Sequence, residues 1–204
     1  MVPILSTEQF ETPMQVLEQK IILASKSPRR RQLLEQAGFH FEVKTQDAPE
    51  DYPADLPVEE VAPYLAEKKA TASANLIQEG EVLLTADSVV ILKGKIYEKP
   101  QDRADAHRIL RELSGQKHRV VTGVCLMNTA KKRVFAGVSE VQFEPLTEEE
   151  ISHYVDAYEP YDKAGSYAIQ EWIGLCKISM IEGTYANIMG LPVDLVYQEL
   201  QAFL

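Results

Sequence analysis

Cysteine and histidine are scarce in this chain, with two of the first and four of the second in 204 residues. His40, His107, His118 and His153 are scattered, and no Cys/His pair has the spacing of a metal site. Cys125 and Cys176 lie far apart in apolar, strand-like segments. They read as buried free thiols, which suit a reducing compartment. Also missing are a Walker loop, a G-x-G-x-x-G turn and a nucleophile elbow. Ser25 and Ser27 have no histidine and acid at a recognisable spacing, so they read as loop and cap hydrogen-bonders, not nucleophiles. No apolar run approaches transmembrane length. The first 20 residues carry Glu8, Glu11 and Glu18 and no apolar stretch, so no secretory signal is expected and the cytoplasm is the expected location. Basic residues are outnumbered, 21 Lys and Arg against 31 Asp and Glu, a net charge of −10. That argues against non-specific binding to nucleic acid or to an anionic membrane. A local basic cleft for a small phosphorylated ligand stays open.

What is present is organised around Ile21 to Gly38. Four apolar residues, Ile21 to Ala24, end in the polar run Ser25-Lys26-Ser27-Pro28-Arg29-Arg30. Ser27 is a good N-cap, and Pro28 fits the first helical position, where its missing N–H costs nothing. Leu33, Leu34 and Ala37 follow at helical spacing, and Gly38 is a stop signal. The pattern predicts strand, loop, helix. Cations in a first helical turn oppose the helix dipole. Arginines beside free N–H groups therefore point to an anion site, with phosphate the natural guest.

The remaining chain reads as one domain over 20–204 behind an extension at 1–19. Alternation predicts a strand over 39–45, and acid and proline mark 46–55 as a loop. A helix is expected from about Val58 to Ile77, with Pro63 in its first turn or at a kink. Lys68 and Lys69 flank its apolar stripe, and periodicity does not choose between them. Val82 to Thr85 and Val89 to Leu92 are apolar, separated by Ala86-Asp87-Ser88. Asp87 is either a turn or capping residue, or a carboxylate that is paired, hydrogen-bonded or on a metal. Lys93-Gly94-Lys95 is a hairpin turn, Asp102 caps a helix over about 103–113, and 118–127 and 134–143 are strands. Thr147 with Glu150 forms a capping box for a helix to about Tyr158. A polar loop spans 159–170, Ile173 to Ile181 is expected as a strand, and the last helix covers about 193–203. Helices alternating with antiparallel hairpins predict an α/β fold with a mixed sheet.

The chemistry-bearing residues gather at element ends. Arg29, Arg30, Lys69 and Lys99 supply cations, and Glu50 and Asp87 supply carboxylates. Such a set suits hydrolysis at phosphorus. Cations neutralise phosphates, carboxylates hold Mg²⁺ or Mn²⁺, and a carboxylate can orient or deprotonate water.

The string Leu23 to Arg30, with Leu33-Leu34 and Gly38 behind it, resembles the opening motif of the Maf family of nucleotide pyrophosphatases. Further matches follow in family order: Ala86-Asp87-Ser88-Val89-Val90, Glu98-Lys99-Pro100, Thr122-Gly123, Asp162-Lys163-Ala164-Gly165, Ile169-Gln170 and Gly190-Leu191-Pro192. The resemblance implies a mixed, strongly twisted sheet with flanking helices and two lobes around a cleft, similar to inosine triphosphate pyrophosphatases. It implies hydrolysis of nucleoside triphosphates to monophosphate and pyrophosphate with a divalent cation. By that similarity Asp87 matches the proton acceptor, and Glu50, Lys69 and Lys99 match cleft residues needed for activity, with Asp87 and Glu50 as metal ligands. Lys69 is thereby preferred over Lys68. Arg29 and Gln170 resemble the branch that prefers dTTP and UTP, with Arg30, Ser25, Ser27 and Ser88 as further substrate contacts. Two residues depart from that branch: Ser88 replaces a usual threonine, and Glu171 a usual glycine. A homodimer is a family-level expectation. The alternatives are 7-methyl-GTP or a broad house-cleaning specificity, or a non-catalytic nucleotide-binding regulator of cell division.

Overall fold

The computed structural model describes residues 15–204. Residues 1–14 of the expected extension lie outside the described residues. Of the remainder, Gln15–Glu18 form a short helix, α1, and Val16 is buried in the main apolar cluster with Leu200 and Phe203. Among the described residues, no helix is long and apolar enough to cross a membrane.

The opening stretch folds as strand, loop and helix. β1 spans Ile21–Leu23 and α2 spans Pro28–Gln36. Ser27 caps α2 by accepting from the Arg30 N–H at 3.5 Å, and Pro28 takes the first helical position. Leu33 and Leu34 point inward, as their spacing requires. β2 covers Phe41–Val43 and pairs parallel to β1. α3 spans Val61–Ala72 and a 3₁₀ turn follows over Ala74–Leu76. Pro63 therefore lies in the first turn, where no intrahelical bond is lost.

β3 spans Val82–Leu92 without a break, so Asp87 is not in a turn but at mid-strand. The pairing that keeps this stretch extended is non-local. β5 (Lys117–Met127) runs antiparallel along it, setting Asp87 opposite Gly123 and Ser88 opposite Thr122. β4 (Lys95–Tyr97) returns from β3 through the Lys93-Gly94 turn, and α4 covers Arg103–Leu113. Asp102 caps α4, and Ala106, Ile109, Leu110 and Leu113 form its buried stripe. β6 (Lys132–Phe143) pairs with β5, and α5 (Glu148–Tyr158) opens on the Thr147–Glu150 capping box.

The strand expected over Ile173 to Ile181 divides instead into α6, Trp172–Cys176, and β7, Ile178–Glu182. Gly174 explains the start: a Cβ there would lie 1.8 Å from the Ile169 carbonyl oxygen, so the chain turns back tightly on itself. Cys176 ends α6 exposed, against the expectation of a buried thiol, whereas Cys125 is buried. A further short helix, α7 (Tyr185–Met189), precedes α8 (Val193–Phe203).

Among the described residues the sheet has seven strands in the order β2-β1-β3-β5-β6-β7, with β4 also on β3. It is mixed, as the element order predicted. Alternation gives β3 two faces. Leu84 and Ala86 join one cluster with α2 and α8, whereas Val90 and Leu92 join a second with α4 and α5. Ser88 falls between them. On the other face Leu83 belongs with Ala66 and Ala70, and Val89 and Ile91 with Val61, Ala62 and Leu65, all of α3. Asp87 falls between those two groups. The apolar core is thus interrupted at one level of the sheet on both faces.

Candidate active site

β5 covers one edge of β3 from Leu83 to Ile91. On the other edge β1 pairs with Val82 to Leu84 and β4 with Val90 to Leu92. Among the described residues no strand fills the gap at Thr85 to Val89. A cavity of about 350 Å³ opens there. Because the edge is open, Asp87 and Ser88 reach the same cavity from opposite faces of the strand. Ser25, Ser27, Arg29, Arg30, Glu50, Lys69, Lys99 and Gln170 line it as well. Every site residue expected from the sequence is therefore gathered in one place.

The acidic centre is an ion triad. Lys69, near the end of α3, donates from Nζ to Asp87 Oδ1 at 2.5 Å and to Glu50 Oε1 at 2.7 Å. Asp87 and Lys69 are largely screened from solvent, with side chains 16% and 18% exposed, so their attraction is weakly shielded by water. The Lys69 ammonium holds the Glu50 carboxyl below its ordinary range, against the opposing effect of burial and with help from Lys99. Lys99 Nζ stands 3.6 Å from Glu50 Oε2 at the mouth. Lys68 points elsewhere, to Asp51 Oδ1 and its carbonyl, both at 2.8 Å. The helix is brought this close by Gly123. A Cβ there would meet Pro63 N at 2.2 Å and Ala62 C at 2.3 Å, so only glycine lets α3 rest on the sheet opposite Asp87.

The basic side divides its two arginines between two tasks. Arg30 is half-buried and committed to the fold: Nε donates to Gly190 O at 2.8 Å, Nη1 to Ser25 Oγ at 3.3 Å and Nη2 to Ser88 Oγ at 3.2 Å. Burial lowers its pKa, opposed by the Asp87 charge. An arginine nevertheless stays protonated. Ser88 Oγ also lies 2.9 Å from Thr122 Oγ1, which donates to Asn187 O at 3.0 Å. Arg29 is freer. It reaches from α2 across the cavity to Asp162 Oδ2 at 3.1 Å. Burial works to raise the Asp162 pKa, but Lys163 and Arg29 together hold it low. Ser25 Oγ accepts the Ser27 N–H at 3.2 Å, and Ser27 takes the Arg30 N–H. These bonds, with the Arg31 N–H on Ser27 O at 3.3 Å, occupy most of the donors at the helix start.

Gln170 sits in a turn with Oε1 buried and without a hydrogen-bond partner among the described residues. An unpaired buried acceptor costs free energy unless something supplies a donor. Asp162, Thr122 and Gly190 were not singled out individually from the sequence. Asp162 could have been found as the acid in a polar loop otherwise facing a surplus of cations. Thr122 could not, because its role depends on strand register. Asp87 and Glu50 are all-oxygen donors. Among the described residues no group of three His, Cys, Asp or Glu stands ready for a metal. Two carboxylates still fit an ion such as Mg²⁺, which keeps waters and shares substrate phosphates.

The family model described as Maf-like protein matches residues 20–203. The chain belongs to the Maf family. Among the relatives of this Maf protein, one from Porphyromonas gingivalis named dTTP/UTP pyrophosphatase is 52% identical over 187 residues, covering 90% of this chain and 94% of that one. A Bacteroides thetaiotaomicron protein of the same name is 48% identical over 183 residues, covering 89% and 95%. One from Flavobacterium johnsoniae, again so named, is 40% identical over 181 residues, covering 89% and 93%. Among solved structures, the Staphylococcus aureus Ham1 protein aligns at 16% identity and a TM-score of 0.46, covering 61% of this chain and 71% of that one.

Proposed function

We propose that this Maf protein hydrolyses dTTP and UTP to the monophosphate and pyrophosphate. The observation that carries the reading is the Asp87–Lys69–Glu50 triad facing an arginine-headed helix across an open strand edge. The name of relatives about half identical to this chain supports the choice of substrate. Arg29 and Lys99 lie toward the open side and neutralise the triphosphate, while Arg30 braces Ser25 and Ser88 so that their hydroxyls face it. Asp87 orients a water and takes its proton as the water oxygen bonds to the α-phosphorus. The bond from that phosphorus to the bridging oxygen breaks, and pyrophosphate leaves with the electron pair. Lys69 holds the Asp87 carboxylate in place for that proton. Asp87 and Glu50 would hold the divalent cation, Mg²⁺ or Mn²⁺. When bound, the ion adds positive charge against the phosphates. The Gln170 amide, which can both donate and accept, would read the pyrimidine edge.

The test is a panel of dTTP, UTP, CTP, GTP and 7-methyl-GTP with Mg²⁺ or Mn²⁺, with both products quantified. Monophosphate and pyrophosphate should appear in equal amounts, fastest from dTTP and UTP. Release of inorganic phosphate with a nucleoside diphosphate would overturn the reaction, and a preference for 7-methyl-GTP would overturn the substrate.

A further inference from the structure

Gln170 owes its position to a turn tied at both ends to one buried oxygen. The Glu171 N–H donates to Ala168 O at 3.1 Å and closes the turn. The phenol oxygen of Tyr154, fully buried on α5, accepts the Ala168 N–H at 3.1 Å and donates its own proton to Glu171 Oε2. The second carboxylate oxygen, Glu171 Oε1, faces Lys163 Nζ at 3.4 Å. Lys163 is buried and donates to Asp162 Oδ1 at 2.8 Å, and Asp162 Oδ2 takes Arg29. One network of alternating charge thus runs from the inside of α5 to the start of α2. Gln170 stands beside one end and Arg29 forms the other. Glu171 occupies the N-cap position of α6 but its side chain caps nothing; it turns inward to Tyr154 and Lys163. Neither Glu171 nor Tyr154 lines the cavity.

We propose that Glu171 is a positioning residue for base selection. Its carboxylate fixes the Gln170 turn through Tyr154 and fixes Arg29 through Lys163 and Asp162. With glycine at this position the turn would keep its backbone bond and the Ala168 N–H on Tyr154, and nothing would link it to Lys163. Here the side chain adds two ties without touching the nucleotide. Loss of the Glu171 charge leaves Lys163 with Asp162 as its remaining acid partner, in competition with Arg29. Both contacts expected to meet the base would then shift together. The proposal rests on the reading that Gln170 and Arg29 face a pyrimidine.

The experiment compares kcat and KM on UTP and CTP for wild type, Glu171→Gly, Glu171→Gln and Gln170→Ala. Glu171→Gly should narrow the UTP-to-CTP ratio of kcat/KM by about 10-fold, since small displacements remote from the chemistry have effects of that size or more. The loss should appear in KM for UTP more than in kcat. Glu171→Gln keeps an acceptor for Tyr154 and should recover part of the ratio. A role in stability alone would lower kcat on both substrates and leave the ratio intact, which would overturn the proposal. An unchanged ratio in Glu171→Gly with a collapsed ratio in Gln170→Ala overturns the positioning role and keeps the pyrimidine reading. No change in Gln170→Ala overturns both. Should Glu171→Gly fail to fold, Tyr154→Phe removes the same tie, with the same narrowing expected and an unchanged ratio counting against the proposal.

Discussion

On the sheet side of the cleft, Asp87, Ser88, Arg30 and Lys69 stand on β3, α2 and α3, and their main chains are fixed by regular pairing. On the facing side, Glu50 comes from a loop and Asp162 and Gln170 from short turns. The better-screened side-chain ion pairs on that side are Lys69–Glu50 at 2.7 Å and Arg29–Asp162 at 3.1 Å, with Lys26–Asp47 and Lys68–Asp51 at the surface. The difference lies in what holds each side. On the proposed reading Asp87, the group that activates water, stands on the sheet side, where displacement is costly. Glu50, Asp162 and Gln170 stand where side-chain ties set position. Without a nucleotide the loop acids act as counter-ions for the cleft cations. A triphosphate must compete with them, so binding should draw the loop side into a new arrangement while the sheet side stays put.

The comparison breaks first on the sheet side. Lys69→Met leaves two carboxylates facing each other with no cation between them. Turnover of UTP should fall about 10²-fold or more, because positioned acid–base groups contribute 10²–10⁴. Lys68→Met, one residue away, should leave turnover near wild type. Gly123→Ala forces α3 off the sheet, against backbone atoms that cannot yield. It should cost about 3 kcal/mol, the upper end for overpacking, read as a drop in melting temperature. Activity should fall with it as Lys69 leaves Asp87.

The loop side should respond to pH instead. Glu50 has its pKa depressed by Lys69, so its contribution to docking the loop is present above the unfolded value. It is lost as pH falls through the lower, folded value. Protection of 46–57 from a protease should hold from neutral pH to about pH 4, the ordinary range for a glutamate, and decline below it. Glu50→Gln should remove that dependence. The smallest effect is expected for Asp51→Asn: its pair with Lys68 is exposed, and such pairs contribute little, so neither melting temperature nor turnover should move measurably.

How much of this was legible in the sequence follows the same division. The strand–loop–helix at 21–38 was readable because cap, proline and apolar spacing are local signals. The cap and capping box at Asp102 and Thr147 were readable for the same reason. Asp87 at mid-strand was not. Its local sequence is broken by polar residues, and what keeps it extended is β5, more than thirty residues on. Residues 173–181 misled for the converse reason. A stretch rich in apolar residues looks like a strand, but Gly174 packs on the Ile169 carbonyl and turns its first half into α6. The anion site at 25–30 and the set of cations and carboxylates at element ends were readable from local pattern, and family resemblance assigned their roles and chose Lys69 over Lys68. What no local pattern could supply was the division of labour between Arg29 and Arg30, since it depends on Gly190 and Asp162 arriving from the far end of the chain.

The most direct measurement is the turnover of UTP by wild type and Asp87→Asn, with nucleotide products resolved and folding verified. The account predicts UMP and pyrophosphate from wild type, and a rate at least about 10²-fold lower from the folded variant. Equal turnover by the two proteins, or UDP and inorganic phosphate as products, would contradict it.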